Sequence, residues 1–303
     1  MKILITGGAG FIGSHLADYF VKKQYNVHVF DNLLTGSEKN IPQLSNCFFH
    51  KVNINNYSEI KEIMFKEKFD IIYHYSAVVG VKRTLQSPDL VLNDLKGLRN
   101  IFDLSILTKI KKIFYSSSSE VYGEPVQSPQ HEDTTPLNSK LPYAVIKNAG
   151  ECFCKTYYQK YKLNFNIFRF FNTYGERQSD DFVISKFLYL AQKNQDIEIY
   201  GDGSQARTFC YISDNIEATT SEKLSDTYNN KILNIGNDKV YTIQDVAKLI
   251  INLTDSKSQI VYIDPLKEGD MKRRQPDISN MKKILEKDLI TLEKGLGKII
   301  RNN

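Results

Sequence analysis

"KILITGGAGFIGSHLADYFVKK", residues 2–23, decides how the chain is read. Residues 2–6 are an apolar run short enough for a buried strand. Glycines follow at 7, 8, 10 and 13, and a helical pattern runs from Phe11 to about Lys23. Strand, glycine turn and helix form the opening of a parallel α/β unit. Further short apolar runs repeat it: "NVHVF" ending at Phe30, "CFFHKV" from Cys47, "FDIIYHYSA" at 69–77, "KIFYS" at 112–116 and "FNIFRFF" at 165–171. Two amphipathic stretches lie among them. Leu90–Leu107 places Val91, Leu95, Leu98 and Phe102 on one face, and Tyr143–Tyr161 does so with Ala149, Phe153, Tyr157 and Tyr161. Strands alternating with helices predict an α/β fold, a parallel sheet covered on both faces. After Asn172 the alternation stops. "IEIYGDGSQARTFCYI" reads as strand, turn, strand, "ILNIG" at 232–236 as one more strand, and "TIQDVAKLIINLT" as a helix capped by Thr242.

The 303 residues suffice for roughly two domains. A hydrophobic share of 41% and a net charge of +5 are those of an ordinary globular protein. The basic runs near residues 111 and 272 lack the module that nucleic-acid binding requires, so no nucleic-acid partner is expected. Cysteines stand at 47, 152, 154 and 210 without zinc spacing, so they are expected to be reduced and mostly buried, with no metal. No signal peptide and no membrane span are expected, and the location read from this is cytoplasmic.

The glycines read as G-x-G-x-x-G (Gly8, Gly10, Gly13) and as Gly7-x-x-Gly10-x-x-Gly13. They let the backbone approach a pyrophosphate seated on the helix N-terminus. Asp31 ends the second strand at the distance where a carboxylate accepts from an adenosine ribose and repels a 2′-phosphate, so NAD is favoured over NADP. In "YAVIK", Tyr143 and Lys147 are four residues apart and share a helix face. A neighbouring ammonium favours the phenolate and makes tyrosine usable as a base. A lone Y-x-x-x-K is ordinarily an exposed pair. The upstream dinucleotide motif and "SSSSEVYGEP" at 116–125 lift it above that.

"TGGAGFIG", Asp31, "SSSSEVYGEP", "YAVIK", "RFFNTYGERQ" and "YGDGSQARTF" resemble, in this order, the extended short-chain dehydrogenase/reductase family, within it the NAD-dependent nucleotide-sugar epimerases, dehydratases and decarboxylases. The resemblance implies a Rossmann-type doubly wound sheet of about seven strands, spanning 1–171 plus about 211–238, and a smaller mixed α/β C-terminal substrate domain, 172–210 plus about 239–303. It implies NAD held by Gly7, Gly10, Phe11, Ile12, Gly13, Asp31, Asn32, Asn53, Ile54, Ser76, Ala77, Phe170, Tyr143 and Lys147. Tyr143 would take the proton of a sugar 4-hydroxyl, Lys147 would bind the nicotinamide ribose and tune Tyr143, and Ser118 would hold the sugar O4. Asn172, Val183, Arg207 and Arg274 match positions for the nucleotide diphosphate and sugar, and guanidinium forks suit a diphosphate. The two amphipathic helices would pair a homodimer through a four-helix bundle. Departures from the pattern are Asp94, where an Asn is usual, Asn53-Ile54 for "D-I", and "HYSA" for "HLAA".

Three reactions follow from a 4-keto sugar. A 4,6-dehydratase needs an acid where this chain has Ser119, whose hydroxyl is too weak. "SSEVYG", with Glu120, resembles the UDP-glucuronate decarboxylases, while "SAVVGVKRT" at 76–84 is nearer the 4-epimerase loop "A-x-A-G-V-R-x-S". The expected activity is therefore a UDP-hexose or UDP-uronate 4-epimerase, with the decarboxylase and then the dehydratase as alternatives, and Glu120 counted among the catalytic candidates. A regulator that senses NAD without turnover would generally lack the Tyr143/Lys147 pair.

Overall fold

The computed structural model describes residues 1–265 and 271–302, with backbone alone at 81, 82, 85 and 302. Residues 266–270 and 303 of the expected substrate domain lie outside it. In chain order the elements are β1 Lys2–Thr6, α1 Phe11–Lys22, β2 Asn26–Asp31, β3 Cys47–Lys51, α2 Tyr57–Glu67, β4 Ile71–His74, α3 Val81–Gln86, α4 Pro88–Leu107, β5 Lys112–Ser118, α5 Pro142–Tyr161 and β6 Asn164–Phe170. There follow β7 Thr173–Tyr174, α6 Val183–Gln192, β8 Ile197–Tyr200, β9 Ala206–Thr208, β10 Cys210–Tyr211, α7 Ile212–Thr220, β11 Ile232–Ile235, β12 Val240–Thr242, α8 Ile243–Leu253, β13 Ile260–Ile263, α9 Ser279–Leu285 and α10 Leu292–Asn302.

Seven strands form one sheet in the order β11-β6-β5-β4-β1-β2-β3. β1 pairs in parallel with β2 on one side and β4 on the other, so the winding reverses between β1 and β4. β2–β3 and β4–β5 are parallel too. This is the doubly wound Rossmann-type α/β sheet, whose ligands bind at the carboxyl ends of the strands flanking the reversal. The strands read as continuous apolar runs because both faces are covered. Leu4, Ile72 and Ile113 are wholly buried beside Leu98, Ile101 and Phe102 of α4. α4 and α5 pack together through Phe102, whose ring centroid lies 5.6 Å from Phe153 and 5.1 Å from Tyr157.

Val91, Leu98 and Phe102 face the core, but Leu95 is 38% exposed, as is Tyr161 at 45%. The sheet covers only part of each helix, so an apolar stripe wider than that face turns outward. Of the cysteines, Cys154 and Cys210 are buried, whereas Cys152 is exposed, two residues round the helix from Cys154.

Two compact units can be distinguished: Met1–Val121 with Ser139–Arg169 and Thr219–Leu233, and Tyr122–Asn138 with Phe170–Ala218 and Asn234–Asn303. Residues 122–138 group with the second because Gln130 N donates to Gln275 O (2.8 Å), Asp277 N donates to Gln130 O (2.7 Å) and Asn234 N donates to Glu132 Oε1 (2.9 Å). Residues 211–218 fall there too, unlike the boundaries expected from the family pattern. The second unit is built from two-stranded pieces: β7 with β10, β9 with β12, and β8 with β13. Thr242 caps α8 in a capping box, its Oγ1 accepting from Asp245 N at 3.0 Å while the Asp245 carboxylate accepts from Thr242 N. Among the described residues no helix is long and apolar enough to cross a membrane.

Candidate active site

The winding reversal places the ends of β1 and β4 side by side. Gly7 leaves β1 with φ +71°, and a Cβ there would stand 2.8 Å from Ser76 N. A Cβ on Gly13 would stand 2.2 Å from Gly7 O, so glycine is what lets the turn fold onto α1. Thr6 Oγ1 accepts from the N–H of Tyr75 and of Ser76, 3.2 Å each, fixing the loop after β4. The same oxygen lies 2.7 Å from His74 Nδ1. Burial drives that imidazole down to about 3, so it is neutral and can accept the threonine hydrogen. Among the described residues no side chain caps α1 at Gly10. The N–H groups of its first turn, from Phe11 to Gly13, therefore point out of the helix with the positive end of its dipole, an arrangement that suits a diphosphate.

Asp31, buried at the end of β2, accepts from Ala9 N (3.0 Å) and Leu33 N (2.8 Å), one on each oxygen. It thus ties the glycine turn to β2, a structural role its sequence position does not reveal. Burial pushes its carboxyl up and the two amides pull it back. Each oxygen keeps a lone pair for a ribose hydroxyl. Asn32 is exposed, its Oδ1 accepting from Leu34 N. Asn53 is exposed and its Oδ1 accepts from Asn55 N, whereas Ile54 is buried.

Ile54, Ser76, Ala77, Tyr143 and Lys147 line one cleft, together with His74, Asp94, Leu98, Tyr115 and Ile146. Five sequence candidates therefore meet there, and His74, Asp94 and Tyr115 are additions. The helical spacing does as expected: the Lys147 ammonium lies 5.8 Å from the Tyr143 ring centroid. Lys147 is buried, and Nζ donates to Ser116 O at 2.6 Å and Ser116 Oγ at 3.2 Å. Burial brings its ammonium down to about 8, with Asp94 pulling it back up.

β5 is buried at all seven positions, so its serines are separated by their partners rather than by alternation. Ser116 accepts from Lys147 and donates to His74 O. Ser117 Oγ donates to Glu151 Oε1 at 2.6 Å. Glu151 in turn accepts from Arg169 Nε (2.9 Å) and Nη2 (2.7 Å), a bidentate pair with both residues buried. Ser118 Oγ accepts from Glu120 N at 3.2 Å, which turns the chain into the 3-10 segment Ser119–Tyr122. Ser119 is buried and Glu120 half-buried.

In the second unit, β9 joins Arg207 to the segment carrying Arg274: Ala206 N donates to Lys272 O (2.9 Å) and Arg274 N to Ala206 O (3.1 Å). Both guanidinium residues are buried, 9% and 7% exposed. Asn172, with φ +36°, donates from Nδ2 to the carbonyl of Thr208, the residue after Arg207 on β9. Val183 begins α6, and Phe170 ends β6 half-buried.

Comparison with known proteins gives the family. The chain is 35% identical to a UDP-N-acetyl-alpha-D-glucosaminuronate decarboxylase of Bacillus cytotoxicus, covering 99% of this chain and 97% of that one. It is 34% identical to a putative UDP-glucose 4-epimerase of Methanocaldococcus jannaschii, over 98% and 97%. Its fold matches the crystal structure of a Thermotoga maritima UDP-glucose 4-epimerase with UDP-glucose, at a TM-score of 0.93 and 28% identity, over 99% and 98%. The description "NAD dependent epimerase/dehydratase family" matches residues 3–236. With the uncapped α1, the Gly7–Ser76 approach and the Asp31 carboxylate all suited to a dinucleotide, the chain belongs to the NAD dependent epimerase/dehydratase family and its cofactor is NAD.

Proposed function

We propose that this enzyme is a UDP-sugar 4-epimerase acting through a 4-keto sugar. When bound, NAD would supply the acceptor for the hydride of the sugar C4 and the source of its return. Tyr143 takes the proton of the 4-hydroxyl and returns it, and the Lys147 ammonium favours the phenolate that does so. Ser118 Oγ holds O4. Gly7, Gly10, Phe11, Ile12 and Gly13 receive the cofactor diphosphate, Asp31 and Asn32 the adenosine ribose, Asn53 and Ile54 the adenine side, and Ser76, Ala77 and Phe170 the remainder. Arg207 and Arg274 hold the nucleotide diphosphate of the substrate, with Asn172 and Val183 beside it. In this reading the first unit carries the NAD residues other than Phe170 together with Tyr143, Lys147 and Ser118, and the second carries Asn172, Val183, Arg207 and Arg274.

The observation that carries the choice of epimerase is the loop after β4. "SAVVGVKRT" resembles the epimerase loop, and it leaves the cleft at Ala77 and turns at Gly80 into α3. The dehydratase lacks its acid at Ser119. A UDP-uronate decarboxylase is the second reading, favoured by "SEVYG" and by the decarboxylase relative, since a 4-keto uronate is a β-keto acid that loses CO2 without a C5 base. Incubation with UDP-, GDP-, dTDP- and CDP-sugars, with products resolved by mass and NMR, tests the proposal. A product isomeric with a UDP-sugar supports it, and loss of CO2 or water overturns it. The outward apolar residues Leu92 and Leu95 of α4 and Val145 and Tyr161 of α5 support a homodimer through a four-helix bundle. Light scattering at micromolar concentration should give twice the chain mass, and a monomer would refute the pairing.

A further inference from the structure

Asp94 stands on α4, three residues before Gly97, at the place where the resemblance implies an uncharged Asn. Asp94 lines the cleft that Tyr143 and Lys147 also line. One oxygen, Oδ2, accepts from Val78 N at 2.9 Å and so fixes the loop after β4. An Asn Oδ1 would accept that hydrogen equally well. The hydrogen bond therefore does not account for the charge, and burying a carboxylate is costly unless something compensates it.

The surroundings of Lys147 supply the compensation. On its own helix stand Tyr143 and, one turn on, Glu151, which is engaged by Arg169 and Ser117. β5 offers the Ser116 carbonyl and hydroxyl and the Tyr115 ring, whose centroid is 5.3 Å from Nζ. β4 offers His74, which is neutral. On α3, Arg83 donates to Val79 O at 2.7 Å. From α4 comes Asp94: burial pushes its carboxyl up, while the Val78 N–H and then Lys147 draw it down, and Asp94 in turn draws the ammonium up against burial.

We propose that Asp94 is a positioning residue for the Lys147–Tyr143 pair, acting through the negative charge it brings to the cleft that all three residues line. The inference rests on the reading of Tyr143 as the base and Lys147 as its partner. It gives this chain a carboxylate in the cleft of the ammonium and the phenol, where the resemblance implies an amide. The signs follow directly. Removing the carboxylate makes the ammonium easier to deprotonate and the phenol easier to ionise, so both limbs of a bell-shaped rate profile move to lower pH.

The test is Asp94→Asn, which keeps the size and the acceptor for Val78 N. In isotope-labelled protein the Lys147 ammonium is followed by NMR against pH, its signal assigned by its loss in Lys147→Met. The expected result is a titration roughly one pH unit lower in Asp94→Asn, with the alkaline limb of kcat/KM moving by the same amount. An unchanged Lys147 titration in a folded, NAD-binding variant overturns the proposal. A shifted titration with no turnover of any nucleotide sugar by either protein would sink the proposed function and leave the role of Asp94 standing. Should Asp94→Asn fail to fold, the reciprocal measurement decides. In Lys147→Met the Asp94 carboxyl must titrate higher than in wild type, and an equal value refutes the pairing.

Discussion

Arg169→Met should cost this protein heavily, and for a reason that bears on the active site. Arg169 of β6 grips Glu151 of α5 with two hydrogen bonds, and Ser117 of β5 donates to the same carboxylate. Three elements are thus joined at one buried point, next to Ser118 on one and four residues from Lys147 on another. Glu151 is wholly buried. Without the guanidinium its charge would keep one hydroxyl donor and no counter-ion. Breaking a buried pair this way costs about 3–5 kcal/mol, and at roughly 2–4 °C per kcal/mol for a domain of this size the melting temperature should fall by about 6–20 °C. Replacing both partners, as in Glu151→Leu with Arg169→Met, removes the stranded charge and should recover much of the loss. Thermal unfolding followed by circular dichroism reads both. A single variant that melts within about 2 °C of wild type, or a double variant no better than the single, would refute the reasoning.

Three further outcomes follow from the site. Tyr143→Phe should lower kcat by roughly 10²–10⁴-fold while NAD still binds, because only the proposed base is lost; substantial retained turnover of the native substrate would show that Tyr143 is not the base. Because burial brings Lys147 down to about 8, its ammonium is lost as pH rises through that value, and turnover should decline there; a rate that keeps rising with pH well past it would contradict the assignment. Gly13→Ala would place a Cβ 2.2 Å from Gly7 O, so the glycine turn must move and NAD affinity should collapse; equilibrium dialysis showing wild-type affinity would overturn the cradle as described.

The glycine turn, Asp31 and the Tyr143/Lys147 spacing are legible in the sequence because each depends on local geometry: a tight turn, a strand end and one helical turn. The Thr242 cap is legible for the same reason. What stays hidden depends on distant partners. The four serines look alike in sequence, yet Ser116 serves Lys147, Ser117 serves Glu151 and Ser118 holds Glu120 N, distinctions made by residues two to thirty-four positions away. Asp31 reads as a ribose ligand, and its bonds to Ala9 and Leu33 appear only once the turn folds over it. Asp94 is visible as a departure from the pattern, but its place in the cleft needs α4 laid against the sheet. In the second unit Ile197 pairs with Ile260 across a long stretch of chain, a pairing that no local pattern announces.

The central claim is that chemistry begins and ends at C4, with no other bond of the sugar broken. A UDP-sugar carrying deuterium on C4 tests it most directly. After incubation with the protein, NMR and mass spectrometry locate the label. The account predicts an isomeric product of unchanged mass, with the deuterium still on C4 and the configuration there inverted. Deuterium found at another carbon, or a product lighter by CO2 or water, would contradict it.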